Sequence, residues 1–268
     1  MHDAGTSNAG SGGAGSEHVP VASAGCNKAG RPSSGVVTVA GSHIYSFPVG
    51  YDGSTPMPLI IAFHAANNSN EQLRNITKAS ALAEHFVMAF PKSQGSGWSL
   101  GADSSRIDER YDDLVQNYCI DESRVFATGH SSGAQLIVQL MCRGDRRFAA
   151  IAPVASSAYC ESWDDPVPSL IIHGVNDRER ANTNQDADGR KDLAPYLSSN
   201  RCGSGMQPYQ QAGCASSGLQ VDPGCVQYEG CAEPTIWCHH DDPQYSNTNH
   251  GWPCFANAAI HAFFSTLP

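Results

Sequence analysis

The strongest constraint on this chain is a rhythm: short continuous apolar runs alternate with stretches whose apolar residues recur at helical intervals. The runs fall at residues 59–63, 86–90, 125–128, 149–154 and 170–172. A run with no polar face belongs to a strand covered on both sides. Between the runs, residues 70–85 space Leu73, Ile76, Ala79, Leu82 and Ala83 as one face of a helix, and residues 111–117 and 135–142 read the same way. This alternation predicts an α/β architecture, a mostly parallel central sheet with helices on both faces. Residues 36–40 and 43–49 read as a β-hairpin about an Ala-Gly-Ser turn, and residues 256–264 as a closing helix.

Two stretches break the rhythm. Residues 1–25 are Gly, Ala and Ser with almost no bulky apolar side chain, which predicts a disordered leader before a folded catalytic domain spanning 26–268. The leader has no apolar core of a signal peptide, so any such peptide is expected to have been removed. Residues 176–248 are polar and rich in Asn, Asp, Gly and Pro, and are expected to have little regular structure.

Ten cysteines occur, none in a CxxC pair, and six of them lie between residues 202 and 254. That pattern favours disulfides over a zinc or redox motif, and places the protein in an oxidising compartment: secreted, periplasmic or at the cell surface. The polar segment is where disulfide staples are expected. One of them, through Cys254, should anchor whatever loop precedes it.

Charge narrows the partners. Lys plus Arg is 16 against 26 for Asp plus Glu, a formal net charge of −10, with the basic residues scattered. Such a chain has no footprint for a phosphate backbone, so no nucleic acid is expected. No run approaches the roughly 18 apolar residues of a membrane span.

The chemistry centres on Gly129-His130-Ser131-Ser132-Gly133, between the run ending at Thr128 and the helical stretch from Ala134. Gly-x-Ser-x-Gly between a strand and a helix is the nucleophile elbow of α/β-hydrolases. Its glycines allow close packing around a strained turn that projects the serine hydroxyl. The new helix's N-terminus offers free N–H groups to a developing oxyanion. In this topology the acid follows the serine and the histidine comes last. Asp177 lies just past the run 170–172, where an open α/β sheet keeps its site; Asp164, Asp165, Asp186 and Asp188 follow no apolar run. Of the later histidines, His250 precedes the last helix and is the expected base, ahead of His239, His240 and His261. Backbone N–H groups of Ser132 and Ala65 are the expected oxyanion donors, Ala65 lying in the loop after the first buried strand.

Several blocks resemble the secreted feruloyl esterase and polyhydroxybutyrate depolymerase family: Tyr118-Cys119-Ile120-Asp121, Arg124 through Ser131, Ile151-Ala152-Pro153-Val154, His173-Gly174 with Asp177, Asn200-Arg201-Cys202, and His250-Gly251-Trp252-Pro253. The resemblance runs from about Cys26 to the C-terminus. It implies an α/β-hydrolase fold with a disulfide-rich insertion before the catalytic histidine, and Ser131, Asp177 and His250 as nucleophile, acid and base. Relatives usually carry His-Gly after the first buried strand, where this chain has His64-Ala65. Tannase-like fungal feruloyl esterases place Cys before the nucleophile and after the base, positions held here by His130 and Gly251.

The expected activity is that of a secreted serine carboxylesterase acting, without a cofactor, on hydroxycinnamoyl esters of plant cell-wall polysaccharide. A polymer-attached ester is the expected partner and a monomer the expected state. Acetylxylan esterase, polyester depolymerase and, in another class, a catalytically inactive binding module are the rivals. Trp98 and Trp252 are expected to face the substrate, with residues 178–248 walling the cleft. No metal is expected. Residues 184–189 open like a calcium loop but place Pro195 where the bidentate Glu belongs. The adjacent His239 and His240 would point to opposite faces of a strand.

Overall fold

The computed structural model describes residues 18–28, 35–39, 42–145, 147–157, 159–175, 177, 190–245 and 250–268. Ten strands make one sheet. The hairpin β1 (Gly35–Val39) and β2 (His43–Phe47) lies at one edge, followed by β4 (Val87–Phe90), β3 (Met57–Phe63), β5 (Ile120–His130), β6 (Ala150–Val154) and β7 (Ser169–Gly174). Beyond β7 come β12 (Thr235–His240), β11 (Gly224–Tyr228) and β8 (Met206–Pro208). The six strands from β4 through β12 run parallel, and the outer strands on either side pair antiparallel.

Strand β3 shows why a continuous apolar run is central. Leu59, Ile61 and Phe63 enter the core on one face, while Ile60 and Ala62 enter the core on the other. Helices α3 (Leu100–Asn117) and α4 (Ser132–Cys142) cover the first face through Ile107, Leu114, Leu136 and Leu140. The second face is covered by α1 (Asn70–Thr77), α2 (Ala81–His85) and α6 (Ala256–Ser265), through Leu73, Leu82, Ile260 and Phe264.

Four expectations need correction. Residues 70–85 form two helices, because the Ser80 hydroxyl donates to the Thr77 carbonyl at 2.6 Å and Ser80 is extended, starting a new helix. Helix α3 begins eleven residues before the expected start at 111, hidden by a polar first half whose fixed point is buried Asp103, accepting from the Gln94 and Ser99 N–H groups, each at 2.9 Å. Residues 18–25 do not belong to a free leader. Ser23 is buried, its N–H donates to the Ile120 carbonyl at 2.9 Å, and Cys26 is joined to Cys119. The remainder of the leader, 1–17, lies outside the described residues.

The fourth correction concerns the polar segment. Its described part is not irregular: it supplies β8, β11 and β12, the helix α5 (Ala194–Ser199), and a separate hairpin of β9 (Cys214–Ser216) and β10 (Leu219–Val221). In β12, Ile236 and Cys238 face one core and Trp237 the other, so this strand too is covered on both sides. All ten cysteines are paired, as Cys26–Cys119, Cys142–Cys160, Cys202–Cys231, Cys214–Cys254 and Cys225–Cys238. Among the described residues no helix is long and apolar enough to cross a membrane.

Candidate active site

The strands β3, β5, β6 and β7 end on one edge of the sheet, and the site lies there. Ser131 sits between β5 and α4 with φ 53° and ψ −115°, a conformation that costs a non-glycine residue about 1–3 kcal/mol. Packing holds it. The Ser131 N–H donates to the Val154 carbonyl at 2.9 Å and its carbonyl accepts from the Gln135 N–H at 2.8 Å. A Cβ on Gly133 would stand 2.1 Å from the Phe63 carbonyl oxygen, and one on Gly129 2.9 Å from the same atom. Only glycine lets α4 and β5 approach β3 this closely.

The structure brings the three expected residues together. His250 Nε2 lies 2.8 Å from Ser131 Oγ, and His250 Nδ1 lies 2.6 Å from Asp177 Oδ2. In this arrangement Nδ1–H donates to the carboxylate and Nε2 is left to accept from the serine hydroxyl. A second histidine, His173 on β7, has Nε2 3.1 Å from the same carboxylate oxygen. Burial works against the charge on Asp177, but His173 and His250 outweigh it and hold the carboxyl well below its usual range. The sequence pattern alone assigns His173 no contact with the acid. Its signal was a histidine buried inside an apolar strand, four residues before the acid.

The other candidates lie elsewhere. Asp164 and Asp165 are exposed, and Asp186 and Asp188 lie outside the described residues, as does the loop 184–189. His239 packs against Trp237 with ring centroids 5.0 Å apart, His240 is buried beside Phe255, and His261 packs against His85. Burial pushes His240 down to about 4. Among the described residues no group of three or more His, Cys, Asp or Glu side chains is placed to hold a metal ion.

The loop of His250 is tied down from several directions. Cys254 is joined to Cys214 on the β9–β10 hairpin, and its N–H donates to Asp242 Oδ2 at 3.0 Å. Asp242 is fully buried and also accepts from the Ser216 hydroxyl and the Gln244 N–H, so one carboxylate joins hairpin, β12 end and base loop. Trp252 belongs to this anchoring. It is buried among the core side chains, its Nε1–H donating to Asn257 Oδ1 at 3.0 Å, so the expectation that it faces substrate is corrected.

Of the expected oxyanion donors, Ser132 opens α4, where its N–H has no intrahelical acceptor. Ala65 needs no glycine: the positive φ of its turn falls on Asn67, at 57°. Trp98 is half-buried against Phe63 and His64. An exposed aromatic that sequence reasoning passed over is Tyr159, in the loop after β6, whose hydroxyl donates to Gln135 Oε1 in the first turn of α4 at 2.8 Å.

Relatives match most of the chain. The chain is 27% identical over 234 residues to a probable feruloyl esterase C of Aspergillus terreus, covering 82% of each chain. It is 26% identical over 237 residues to feruloyl esterase C of Emericella nidulans, again over 82% of each. The chain is thus similar to feruloyl esterase C proteins over most of its length. No family model matches it. In fold, the chain is similar to the acetyl xylan esterase from Aspergillus awamori, with a TM-score of 0.61 at 16% identity, covering 87% of this chain and 99% of that one. The α/β-hydrolase expectation is met.

Proposed function

We propose that this chain is a secreted serine carboxylesterase that hydrolyses hydroxycinnamoyl esters of plant cell-wall polysaccharide. The observation that carries the catalytic part is the continuous line from Ser131 Oγ through the His250 ring to Asp177, at 2.8 and 2.6 Å. Ser131 attacks the ester carbonyl carbon as His250 Nε2 takes the hydroxyl proton. The Ser132 and Ala65 N–H groups stabilise the oxyanion of the tetrahedral intermediate. Its collapse breaks the bond to the alcohol, which leaves with the proton from His250. Water then attacks the acyl-serine, His250 removes its proton, and the acid departs as Ser131 recovers its hydrogen. Asp177 stays ionised throughout and holds the tautomer that leaves Nε2 free. No step calls for a cofactor.

The substrate class rests on the similarity to feruloyl esterase C proteins over most of both chains. Five disulfides suit an oxidising environment and support action outside the cytoplasm. We place the protein there as a monomer working on polymer-attached esters, with residues 190–245 and exposed Tyr159 beside the cleft.

Turnover of methyl ferulate, acetylated xylan and hydroxybutyrate oligomers should favour the ferulate ester. Ser131→Ala and His250→Ala should each lower kcat by roughly four to six orders of magnitude while circular dichroism stays unchanged. Substantial activity in either variant would remove the triad reading. A preference for acetylated xylan would keep the triad and replace the substrate.

A further inference from the structure

Trp98 bonds Ser132, one of the two residues whose N–H groups face the oxyanion in the reading above, and the carbonyl end of the peptide that carries the other, Ala65. Its backbone N–H donates to Ser132 Oγ at 2.9 Å, and its ring Nε1–H donates to the His64 carbonyl at 2.8 Å. The His64 carbonyl and the Ala65 N–H belong to one trans peptide and point in opposite directions. A donor that grips the oxygen from behind therefore fixes where the N–H aims. The ring itself stands edge-on to Phe63, centroids 5.2 Å apart at 88°, which leaves it little freedom to tilt.

The surroundings reinforce both ends of this grip. His64 Nδ1 donates to the Ala65 carbonyl at 2.8 Å, and His64 Nε2 accepts from the Ser93 N–H at 3.3 Å. Those two bonds demand a neutral imidazole, and burial lowers the His64 pKa in the same sense. Trp98 rides on a segment pinned by Asp103, which accepts from the Gln94 and Ser99 N–H groups. The segment presses closely on the nucleophile turn: a Cβ on Gly97 would lie 2.9 Å from Ser132 Oγ and 3.3 Å from Ala66 Cβ.

We propose that Trp98 is a positioning residue that locks the Ala65 and Ser132 N–H donors into one frame, through a ring N–H on one side and a backbone N–H on the other. This rests on the Ser131 esterase reading. Both N–H donors of Trp98 are spent on the protein, so its contribution falls on the transition state and not on recognition of an aromatic acyl group. An interaction that orients oxyanion donors changes kcat and leaves ground-state binding nearly alone.

Trp98→Phe keeps an aromatic ring at the position while removing the Nε1–H and reducing the indole to a single ring. Removing an oxyanion donor outright costs about 100- to 1,000-fold in kcat, and loosening one should cost about tenfold. We expect that tenfold loss equally on methyl ferulate and p-nitrophenyl acetate, with each KM within twofold of the original. Inhibition by phenylboronic acid, which forms a tetrahedral adduct on the serine, should weaken by the same factor. Should Trp98→Phe fail to fold, Ser132→Ala removes the acceptor of the backbone arm alone and should give a smaller loss of the same kcat-only form. A rise in KM confined to methyl ferulate makes Trp98 a substrate platform and overturns the proposal. Unchanged kcat and boronate affinity in the folded variant overturn it as well. Ser131→Ala, run alongside, separates the two levels: if it stays active, the esterase reading itself has failed, and if it is inactive while Trp98→Phe equals the parent, only the clamp has.

Discussion

The nucleophile and the base are held by two differently built halves of one sheet. Ser131 stands among β3, β5 and β6, where continuous apolar strands fill both cores and glycines bring backbone against backbone. His250 hangs from the other half, where polar residues 202–254 carry three disulfides of their own and a fully buried aspartate joins hairpin, strand and loop. A strained backbone at a nucleophile needs surroundings that cannot yield, which close apolar packing supplies. A loop from a segment with less to bury is positioned by covalent links and a shared carboxylate instead.

Breaking each half in its own way tests that contrast. The largest effect is expected from Gly133→Ala, whose new Cβ would overlap the Phe63 carbonyl oxygen at 2.1 Å. The variant should lose 3 kcal/mol or more, about the upper end for overpacking, and yield little folded protein. A stable, active Gly133→Ala enzyme would show that β3 and α4 can part without harm. Next comes the double variant Cys214→Ser and Cys254→Ser. Opening this 40-residue link should lower stability by about 2–4 kcal/mol yet leave a folded core. Activity should fall further than the unfolded fraction explains, because His250 loses its register with Ser131. Activity that merely tracks the folded fraction would assign the disulfide to stability alone.

The most gradual effect concerns pH. Buried His240 is neutral in the folded protein and pushed down to about 4, while the unfolded chain protonates it near 6.5. Its contribution is complete above pH 6.5 and is lost as pH falls toward 4, because the unfolded state then binds the extra proton. The full shift corresponds to roughly 3 kcal/mol. Urea unfolding from pH 7 to pH 4 should show this decline, and His240→Gln should flatten it. A variant with the parent slope would move the acid sensitivity elsewhere.

The two halves also differ in how well they can be read from residues alone. β3, β5 and the Gly-x-Ser-x-Gly turn declare themselves because a strand buried on both faces tolerates no polar residue, and a turn this tight tolerates no side chain at either flank. The polar half conceals its strands. β11 and β8 pair antiparallel at the sheet edge, with solvent on at least part of their surface, so their residues carry no continuous apolar signal. Trp252 illustrates the same limit: an aromatic next to the base fits a cleft wall or a loop anchor equally in one dimension, and only its bond to Asn257 decides between them.

By itself the sequence determined the fold class, the order of serine, acid and histidine along the chain, and the need for disulfides, since each follows from local pattern and composition. Tertiary structure alone decided which cysteines pair, that His173 stands behind Asp177, and that Trp98 reaches two separate loops at once. Those facts depend on contacts between residues tens of positions apart. Local periodicity carries no record of which distant backbone a side chain will meet.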